Sequence, residues 1–369
     1  MAALTNPLLQ LRALGQSVWL DFIRRALLED GTLARLIAED GLAGLTSNPA
    51  IFHQAIAEHG DYDEAVAALA RDGADAVTIY ETLAMADLCA AADALAPVHA
   101  QSGGRDGYVS LEVSPHLAHD ADATVAEALR LWRHVGRPNL MIKVPATPAG
   151  LIAVRRLIAA GVSVNVTLLF SVARYCEVAE AYLSGLEVRA AAGQALDRVA
   201  SVASFFLSRI DTQVDHKLDA LATPDARALR GRAAIASARL AHQAYLGLIA
   251  SPRWQALAER GARSQRLLWA STGTKDAAYR DVYYVEPLIG RDTITTLPPH
   301  TLDAFRDHGR AAARLEDDLA EAHALPRRLA ALGIELEETA LGLEAEGIAK
   351  FIEPYDRLIS HLAQSTKGP

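Results

Sequence analysis

Short apolar runs alternate with longer segments of helical spacing along almost the whole chain. Most of these runs are nearly continuous in apolar residues, which is typical of parallel strands buried on both faces. Strands in regular alternation with helices predict an α/β fold with a single (β/α)8 barrel, and an open doubly wound sheet is the alternative. The eight candidate strands are Val18–Ile23, Leu42–Ser47, Tyr108–Val113, Leu140–Pro145, Ser163–Leu169, Val199–Phe206, Leu267–Ser271 and Thr293–Leu297.

Capping residues and glycines mark the boundaries of the predicted helices. Thr147, followed by a proline, predicts a helix over Pro148–Ala160 that ends at Gly161. Ser171 predicts the start of a helix that runs to Gly185 or beyond. These helices directly follow predicted strands, as the connections of a barrel require.

A capping-box pattern and three longer segments complete the helical prediction. Thr124 and Glu127 have the capping-box spacing and predict a helix over Ala126–Val135 that is closed by Gly136. Further helical spacing occupies residues 61–96 up to Pro97, residues 225–250 up to Ser251 and Pro252, and the charged tail from His300 onwards. We therefore expect one barrel domain over residues 1–369, with an N-terminal helix at about 1–15 and a helical C-terminal extension at about 300–369.

Composition excludes several classes of protein. Hydrophobic residues make up 51% of the 369 residues and charged residues 22%, which excludes global disorder. The net charge of −9 argues against nucleic acid or an anionic membrane as the main partner. Neither a GxGxxG nor a GxxxxGK[ST] motif occurs, so the nucleotide-binding form of the open sheet lacks its signature.

Cysteine and histidine patterns predict neither a disulfide framework nor a metal site. Cys89 and Cys176 lie in helical segments and favour a reducing compartment, which with the N-terminal sequence predicts a cytoplasmic protein. His116 and His119 form the closest histidine pair, and no HExxH motif is present. We expect no metal site. The sequence leaves open whether the protein is a monomer or a homodimer.

Polar side chains interrupt almost every predicted strand near the end that would form the C-terminal rim of a barrel. That rim carries the active site in barrel enzymes, so polar residues there are candidates for catalysis or binding. The candidates are Asp21, Asn48, Glu112, Lys143, Asn165, Thr167, Ser204 and Ser271.

Lys143 is the most informative of these candidates because it lies inside the apolar run LMIKVP. Burial there disfavours the ammonium form and favours a neutral amine, which can form a Schiff base with a carbonyl compound. The alternative is a structural lysine that extends to the end of the barrel or pairs with Glu112. The spacing alone leaves both interpretations open.

The two candidate carboxylates and the two asparagines also have structural alternatives. Glu112 and Asp21 could be a salt-bridge partner and a helix cap, and Asn48 or Asn165 could be turn residues. Two carboxylates and an amine directed at one cavity would instead supply the acid–base steps of a Schiff-base cycle.

Two later segments could bind a phosphate group. Arg209 lies near the start of a helical segment and could bind phosphate there, or it could pair with Asp211 or Asp215 on the same helix. The segment from Ser271 to Lys275 offers hydroxyls, backbone N–H groups and a cation after a predicted strand, although a simple turn is the alternative.

Six segments together resemble successive strand motifs of the transaldolase family, in the family's order and at comparable spacings. They are LTSNPAIF (45–52), SLEVSP (110–115), IKVPATPAGL (142–151), VNVTLLFS (164–171), ASFFLSRID (203–211) and WASTGTK (269–275). The resemblance covers about residues 15–360 and is closest to the longer bacterial form with an extended helical C-terminus. It implies a class I aldolase barrel of the non-oxidative pentose phosphate pathway. Such an enzyme moves a dihydroxyacetone unit from a ketose phosphate to an aldose phosphate without metal or organic cofactor.

The resemblance also implies roles for individual residues of this chain. Lys143 corresponds to the Schiff-base lysine, Glu112 to the carboxylate that activates the catalytic water, and Asp21 to the acid–base group at the C4 hydroxyl of the donor. Asn48, Asn165, Thr167 and Ser204 correspond to residues that orient donor hydroxyls or the water. Arg209 and Ser271 correspond to phosphate contacts, with Lys275 as the nearest further cation.

The chain departs from the family pattern at two places. Many members have Ser-Pro-Phe where this chain has Ser204-Phe205-Phe206, and they have an arginine where this chain has Gly273. The resemblance also changes one local prediction. The segment Val282–Gly290 has strand propensity, but its counterpart in the family is a helix.

Two rival functions differ in chemistry from a transferase. A non-catalytic sugar-phosphate-binding barrel would need a broken catalytic set, whereas Lys143, Glu112 and Asp21 are all present. A fructose-6-phosphate aldolase would use the same lysine and release free dihydroxyacetone. That sister family typically has tyrosine where this chain has Phe206, and a phenyl ring cannot hold water through a hydroxyl. Phe206 and the chain length therefore favour transfer.

Overall fold

Eight parallel strands close into a barrel in chain order, and β1 pairs with both β2 and β8 to complete the ring. The computed structural model describes residues 6–365, so residues 1–5 of the predicted N-terminal helix and 366–369 of the C-terminal extension lie outside it. The strands are β1 Ser17–Asp21, β2 Gly44–Thr46, β3 Tyr108–Glu112, β4 Leu140–Pro145, β5 Val164–Leu169, β6 Ser201–Phe206, β7 Arg266–Ala270 and β8 Ile294–Leu297. The (β/α)8 barrel is confirmed, and the open sheet is wrong.

Helices surround the barrel and continue beyond its last strand. Those before β6 are α1 Pro7–Ala13, α2 Arg25–Glu29, α3 Thr32–Asp40, α4 Pro49–Ala57, α5 Asp63–Arg71, α6 Ala76–Gln101, α7 Ala121–Val135, α8 Pro148–Ala160 and α9 Val172–Ala191. Those after β6 are α10 Ser208–Leu221, α11 Pro224–Leu229, α12 Ala233–Ile249, α13 Pro252–Ala258, α14 Pro299–His308, α15 Leu319–Ala331 and α16 Leu336–Ser365. The predicted helical C-terminus is thus present as α14, α15 and α16.

Threonine and serine caps begin several helices where the sequence predicts them. The Thr147 hydroxyl accepts a hydrogen bond from Gly150 N at the start of α8, which ends at Gly161 with a φ of +91°. The Ser171 hydroxyl accepts from Arg174 N and begins α9 in the same way. Each cap satisfies a backbone donor that the first helical turn leaves free.

Helix α7 begins five residues earlier than the capping-box pattern predicts. Its N-cap is Asp120, whose carboxylate accepts a hydrogen bond from Ala123 N. The Thr124 hydroxyl donates to Leu117 O, and the Glu127 carboxylate accepts from Ser114 N. The predicted capping box is therefore wrong, because both side chains bind the loop before the helix and not the helix terminus.

Helix α6 continues through Pro97 to Gln101, so the predicted stop at Pro97 is wrong. Proline removes one backbone donor, but tertiary packing holds the last turn in helical form. A Cβ on Gly107, just before β3, would lie 2.3 Å from His99 N, which shows how closely the two backbones approach. The predicted helical stretch 61–96 is divided into α5 and α6, because the chain turns at Gly73 with a φ of +83°.

Among residues 6–365, α6 is the one helix whose length and composition would allow it to cross a membrane. Its side chains Leu88 and Leu95 are fully buried, and the helix packs against β3. That packing is typical of a core helix of a folded domain.

The segment Val282–Gly290 does not form the strand that its residue propensities favour, and it does not form the helix that the resemblance implies. It forms turns and one short 3-10 helix, Glu286–Leu288. Pro287 lacks a backbone donor, and the Glu286 carboxylate pairs with Arg280 and accepts from Arg310 N. These side-chain anchors fix an irregular path in place of a backbone ladder.

The N-terminal end of the barrel is closed by polar and aromatic side chains. Arg266 is buried and donates hydrogen bonds to Asp106, Ser17 and Thr293 O. Above it, the Trp19 indole occupies the space beside Gly44, where a Cβ would lie 2.4 Å from the ring. The open end of the barrel is therefore the C-terminal one.

We predict that Thr147→Ala destabilises the protein more than Thr223→Ala does. Both threonines cap a helix that continues with proline, but Thr147 is buried and also donates to Ala118 O, whereas Thr223 is exposed. The free energy of unfolding in urea should fall by roughly 1–2 kcal/mol for Thr147→Ala and by about 0.5 kcal/mol for Thr223→Ala. Equal losses would show that burial of the cap does not matter here.

Candidate active site

The C-terminal ends of the strands open into a cavity of about 510 Å³. Nine of the eleven predicted site residues line it: Asp21, Asn48, Lys143, Thr167, Ser204, Phe206, Arg209, Ser271 and Lys275. The other two, Glu112 and Asn165, flank Lys143 in the register of β3, β4 and β5 and lie beneath the cavity. The structure thus brings the whole predicted set to one end of the barrel.

Lys143 is buried at the floor of the cavity, with only 5% of its side chain exposed. Its Nζ donates to Ser47 O at 3.1 Å and to Glu112 Oε2 at 3.3 Å. The ion pair with Glu112 is the contact that a structural lysine would make. Lys143 also faces the cavity, however, so its amine is positioned to meet a ligand there.

Burial raises the pKa of Glu112 to about 7, although the neighbouring Lys143 ammonium lowers it. The Glu112 Oε1 atom is buried and has no hydrogen-bond partner among the described residues. A carboxyl group that titrates near neutral pH can both accept and donate a proton under ordinary conditions. Glu112 therefore has the properties of an acid–base group and not only of a counterion.

Asp21 ends β1 on the opposite side of the cavity floor and has its own hydrogen-bond support. The Thr46 hydroxyl donates to Asp21 Oδ1 at 2.8 Å, and this hydroxyl also lies 2.9 Å from Thr296 Oγ1. Burial raises the pKa of Asp21, while Lys143 lowers it. The helix-cap interpretation of Asp21 is wrong, because it begins no helix.

Hydroxyl and amide groups form a hydrogen-bonded chain that begins at Ser204, which lines the cavity. The Ser204 hydroxyl donates to Asn165 Oδ1 at 2.6 Å, and Asn165 Nδ2 donates to Ser110 Oγ at 3.1 Å. Asn165 is a strand residue, so the turn interpretation is wrong for it. Asn48 lines the cavity and also caps α4, because its Oδ1 accepts from Ile51 N at 3.0 Å.

Two non-glycine residues at this rim have left-handed backbone conformations. Leu168 has a φ of +62° where the pairing of β5 with β6 shifts register, and Ser271 has a φ of +54° at the end of β7. Thr167, next to Leu168, points a buried hydroxyl into the cavity, and this hydroxyl has no partner among the described residues. Such strained backbone clusters at functional sites, where it aims particular side chains.

Arg209 lies at the outer end of the cavity in the first turn of α10. Its buried Nη1 has no hydrogen-bond partner in residues 6–365, and its guanidinium lies 5.5 Å from the centre of the Phe206 ring. The alternative pairing with Asp211 or Asp215 is wrong, since those carboxylates accept from Ala234 N and Gly231 N. Arg209 is thus free to bind an anion.

Ser271 and Lys275 line the same cavity as Arg209. Ser271 Oγ is 2.8 Å from Ser208 Oγ, in the first turn of α10, and Lys275 is exposed at the rim. A hydroxyl and two cations around one space match the chemistry of a phosphate group. The simple-turn interpretation does not account for this shared position.

The sequence did not predict several other side chains that line the cavity. They are Thr46, Thr212, Gln213, Thr296, His300, Leu343, Glu346, Lys350 and Phe351. The last four belong to α16, and the Phe351 ring centre lies 5.4 Å from Lys143 Nζ. Leu343, Glu346 and Lys350 follow one another at three- and four-residue spacing, which marks one helix face, but spacing alone does not tell what that face packs against.

Residues 6–365 hold no group of three or more His, Cys, Asp and Glu side chains that could bind a metal ion. Of the close histidine pair, His116 instead contacts Asp356 through Nε2 at 2.7 Å.

Comparisons with known proteins show which family the whole chain resembles. The family model described as Transaldolase/Fructose-6-phosphate aldolase matches residues 18–362. A protein named Transaldolase from Thiobacillus denitrificans is 51% identical over 349 residues, which cover 95% of this chain and 97% of that protein. Proteins named Transaldolase from Trichodesmium erythraeum and Thermobifida fusca are 45% and 47% identical, and each match covers at least 97% of both chains.

We predict that Lys143→Met raises the pKa of Glu112 further above about 7. The substitution removes the cation that lowers this pKa and keeps the burial that raises it. Glu112 should therefore remain protonated to higher pH in the variant than in the wild type. Infrared difference spectra across a pH titration would follow the carbonyl band of the protonated carboxyl.

The double variant Lys143→Met, Glu112→Gln identifies the band, because it lacks the Glu112 carboxyl. A Glu112 midpoint that stays in place or falls in Lys143→Met would contradict the assigned electrostatics.

Proposed function

The chain belongs to the transaldolase/fructose-6-phosphate aldolase family, and from this we propose that it transfers a dihydroxyacetone unit between sugar phosphates through a Schiff base on Lys143. It is a transferase of the class I aldolase type, as its near-full-length relatives named Transaldolase indicate. The donor is sedoheptulose 7-phosphate or fructose 6-phosphate, and the acceptor is glyceraldehyde 3-phosphate or erythrose 4-phosphate.

The observation that carries the proposal is the position of Lys143. Its amine is buried beside Glu112 at the floor of a cavity, and Asp21 stands on the same floor. Arg209, with an unpartnered buried nitrogen, lies at the outer end of the cavity. An amine, two acid–base groups and an anion site around one space are what cleavage of a phosphorylated ketose requires.

The first half-reaction begins when Lys143 passes a proton to Glu112 and attacks the C2 carbonyl of the donor as a neutral amine. Glu112, through a water molecule, helps the resulting carbinolamine lose water, which leaves an iminium. The iminium accepts the electron pair of the C3–C4 bond as that bond breaks, and Asp21 takes the proton of the C4 hydroxyl. The aldose phosphate leaves, and a three-carbon enamine stays attached to Lys143.

The second half-reaction reverses these steps with the acceptor. The enamine carbon attacks the aldehyde carbon, and Asp21 returns the proton to the new hydroxyl oxygen. Glu112 then activates the water that hydrolyses the product iminium and frees Lys143. Asn48 and Asn165 hold the hydroxyls of the three-carbon unit, while Thr167 and Ser204 orient the water and the donor hydroxyls.

The phosphate group is held in both half-reactions by Arg209 and Ser271, with Lys275 at the rim. Many family members have an arginine at the position of Gly273, and in this chain Lys275 supplies the cation instead. Binding through phosphate acts equally on ground and transition states, so it governs substrate affinity more than the rate of bond cleavage.

Transfer is favoured over release of free dihydroxyacetone by the phenyl ring of Phe206. Its ring packs 5.3 Å from Phe170 and 5.5 Å from the Arg209 guanidinium. A tyrosine at this place would offer a hydroxyl to hold water, and phenylalanine does not. A fructose-6-phosphate aldolase activity is therefore the second candidate function.

We further propose that residues 1–369 act as one barrel domain in the cytoplasm, with sugar phosphates as partners and without nucleic acid or membrane. Both cysteines are free thiols, which is consistent with a reducing compartment. We assign neither a monomer nor a homodimer.

We predict that incubation with fructose 6-phosphate and borohydride attaches a three-carbon adduct to the peptide that contains Lys143. Lys143→Met should form no adduct. The control is Lys217→Met, because Lys217 lies outside the cavity and donates a hydrogen bond to Thr339. This variant should form the adduct fully. Peptide mass spectrometry reports the site. An adduct on another residue, or turnover without any adduct, would mean that Lys143 is not the nucleophile.

We predict that Arg209→Ala raises the KM for fructose 6-phosphate by roughly ten- to a hundredfold, the worth of a charge-assisted hydrogen bond, with a smaller effect on kcat. Steady-state kinetics with fructose in place of its phosphate should show little change. Arg232→Ala, which removes an exposed arginine paired with Glu321, is the matched control. A drop in kcat without a rise in KM would contradict the phosphate role.

A further inference from the structure

Helix α16 covers the C-terminal rim of the barrel, and polar and aromatic contacts hold it there. Arg174 pairs with Glu344 at 3.2 Å, with both side chains mostly buried. Gln213 Nε2 donates to Glu346 Oε2 at 3.0 Å. The Tyr80 and Tyr355 rings meet edge to face at 5.6 Å. These contacts hold the middle of the helix against the rim, where it forms one wall of the cavity.

A glycine in α16 allows the helix to approach the rim closely. A Cβ on Gly347 would lie 3.0 Å from Leu168 Cδ2 and 3.6 Å from Arg209 Nη1, so the backbone rests almost directly on these side chains. One helical turn further along, Phe351 reaches the floor of the cavity. Its side chain is 3% exposed, and its ring centre lies 5.4 Å from Lys143 Nζ.

The Phe351 ring occupies part of the space beside the Lys143 amine. A phenyl ring offers no hydrogen bond to water in the ring plane, and its face attracts a nearby cation. The cationic iminium on Lys143 would thus be stabilised beside the ring, while water and its protons are kept away from the attached carbons.

We propose that Phe351 is a specificity-determining residue that keeps the three-carbon enamine on Lys143 from being protonated before the acceptor arrives. The inference rests on the proposed function, because it concerns the fate of that enamine. It assigns to α16 a role in the choice between transfer and release that is separate from that of Phe206 on β6.

The two fates of the enamine differ in a single bond-forming step. In transfer, the enamine carbon forms a bond to the aldehyde carbon of the acceptor, and the aldehyde oxygen gains a proton. In release, the same carbon takes a proton that water supplies, and the resulting iminium adds water. The carbinolamine then breaks its C–N bond, which frees dihydroxyacetone and the Lys143 amine. Excluding water from the enamine carbon slows only the second fate.

The test compares wild type, Phe351→Ala and Phe351→Leu with fructose 6-phosphate as donor and erythrose 4-phosphate as acceptor. Glyceraldehyde 3-phosphate reports every cleavage, and sedoheptulose 7-phosphate reports every transfer, so the excess of the first product measures release. We expect the ratio of release to transfer to rise several-fold in Phe351→Ala and to stay near wild type in Phe351→Leu, which keeps most of the apolar bulk.

Leu341→Ala is the matched control, because Leu341 lies on α16 but is 59% exposed and does not line the cavity. Its ratio should equal that of the wild type. A merely structural role of Phe351 would lower both products together and leave the ratio unchanged. Should Phe351→Ala fail to fold, Phe351→Val must show a rise of the same sign.

Borohydride trapping on the same samples separates the inference from the proposed function. If the wild type forms no adduct on Lys143, the proposed function fails. If the adduct forms and the ratio does not change in Phe351→Ala or Phe351→Val, the role of Phe351 is overturned. An equal rise in Phe351→Ala and Phe351→Leu would also overturn water exclusion by apolar bulk.

Discussion

The ion pair between Lys143 and Glu112 is the interaction on which the organisation of the site depends. Two charges at the floor of a barrel are strongly desolvated, and a buried ion pair of this kind contributes little to stability by itself. Its consequence is chemical, because burial and the neighbouring ammonium act in opposite directions on Glu112 and leave its pKa at about 7. A group with that pKa can exchange protons with water in either direction at neutral pH.

The barrel makes this arrangement possible by closing one end and leaving the other open. At the N-terminal end, Arg266 pairs with Asp106, and the Trp19 indole occupies the space beside Gly44. At the C-terminal end, neighbouring strands place Glu112, Lys143 and Asn165 side by side. Helix α16 then covers part of this end, and its side chains line the same cavity as Arg209, Ser271 and Lys275.

Much of the fold and of the candidate site could be predicted from sequence because both depend on local patterns. The apolar run around Lys143 predicts β4 to the residue, and the cap at Thr147 predicts the start of α8. Where local patterns and tertiary contacts disagree, the sequence prediction is wrong. Pro97 stays helical because the turn that follows is packed against Gly107, and Thr124 turns away from its expected cap to bind Leu117 O.

The contribution of α16 could not be predicted for the same reason. Phe351 and Gly347 lie about 200 residues from Lys143 in the sequence, and nothing in their spacing identifies the surface that they meet. The open question of Lys143 as counterion or nucleophile was also not decidable from spacing. In the structure the Lys143 amine pairs with Glu112 and also faces the cavity. The roles of counterion and nucleophile are therefore compatible.

The central claim is that the three-carbon unit stays on the enzyme between donor and acceptor. The most direct test uses fructose 6-phosphate labelled at C1 to C3, erythrose 4-phosphate and an excess of unlabelled dihydroxyacetone. We predict that the sedoheptulose 7-phosphate formed carries the label at the full specific activity of the donor. Dilution of the label by the free dihydroxyacetone would show that the unit leaves the protein, and it would contradict the account.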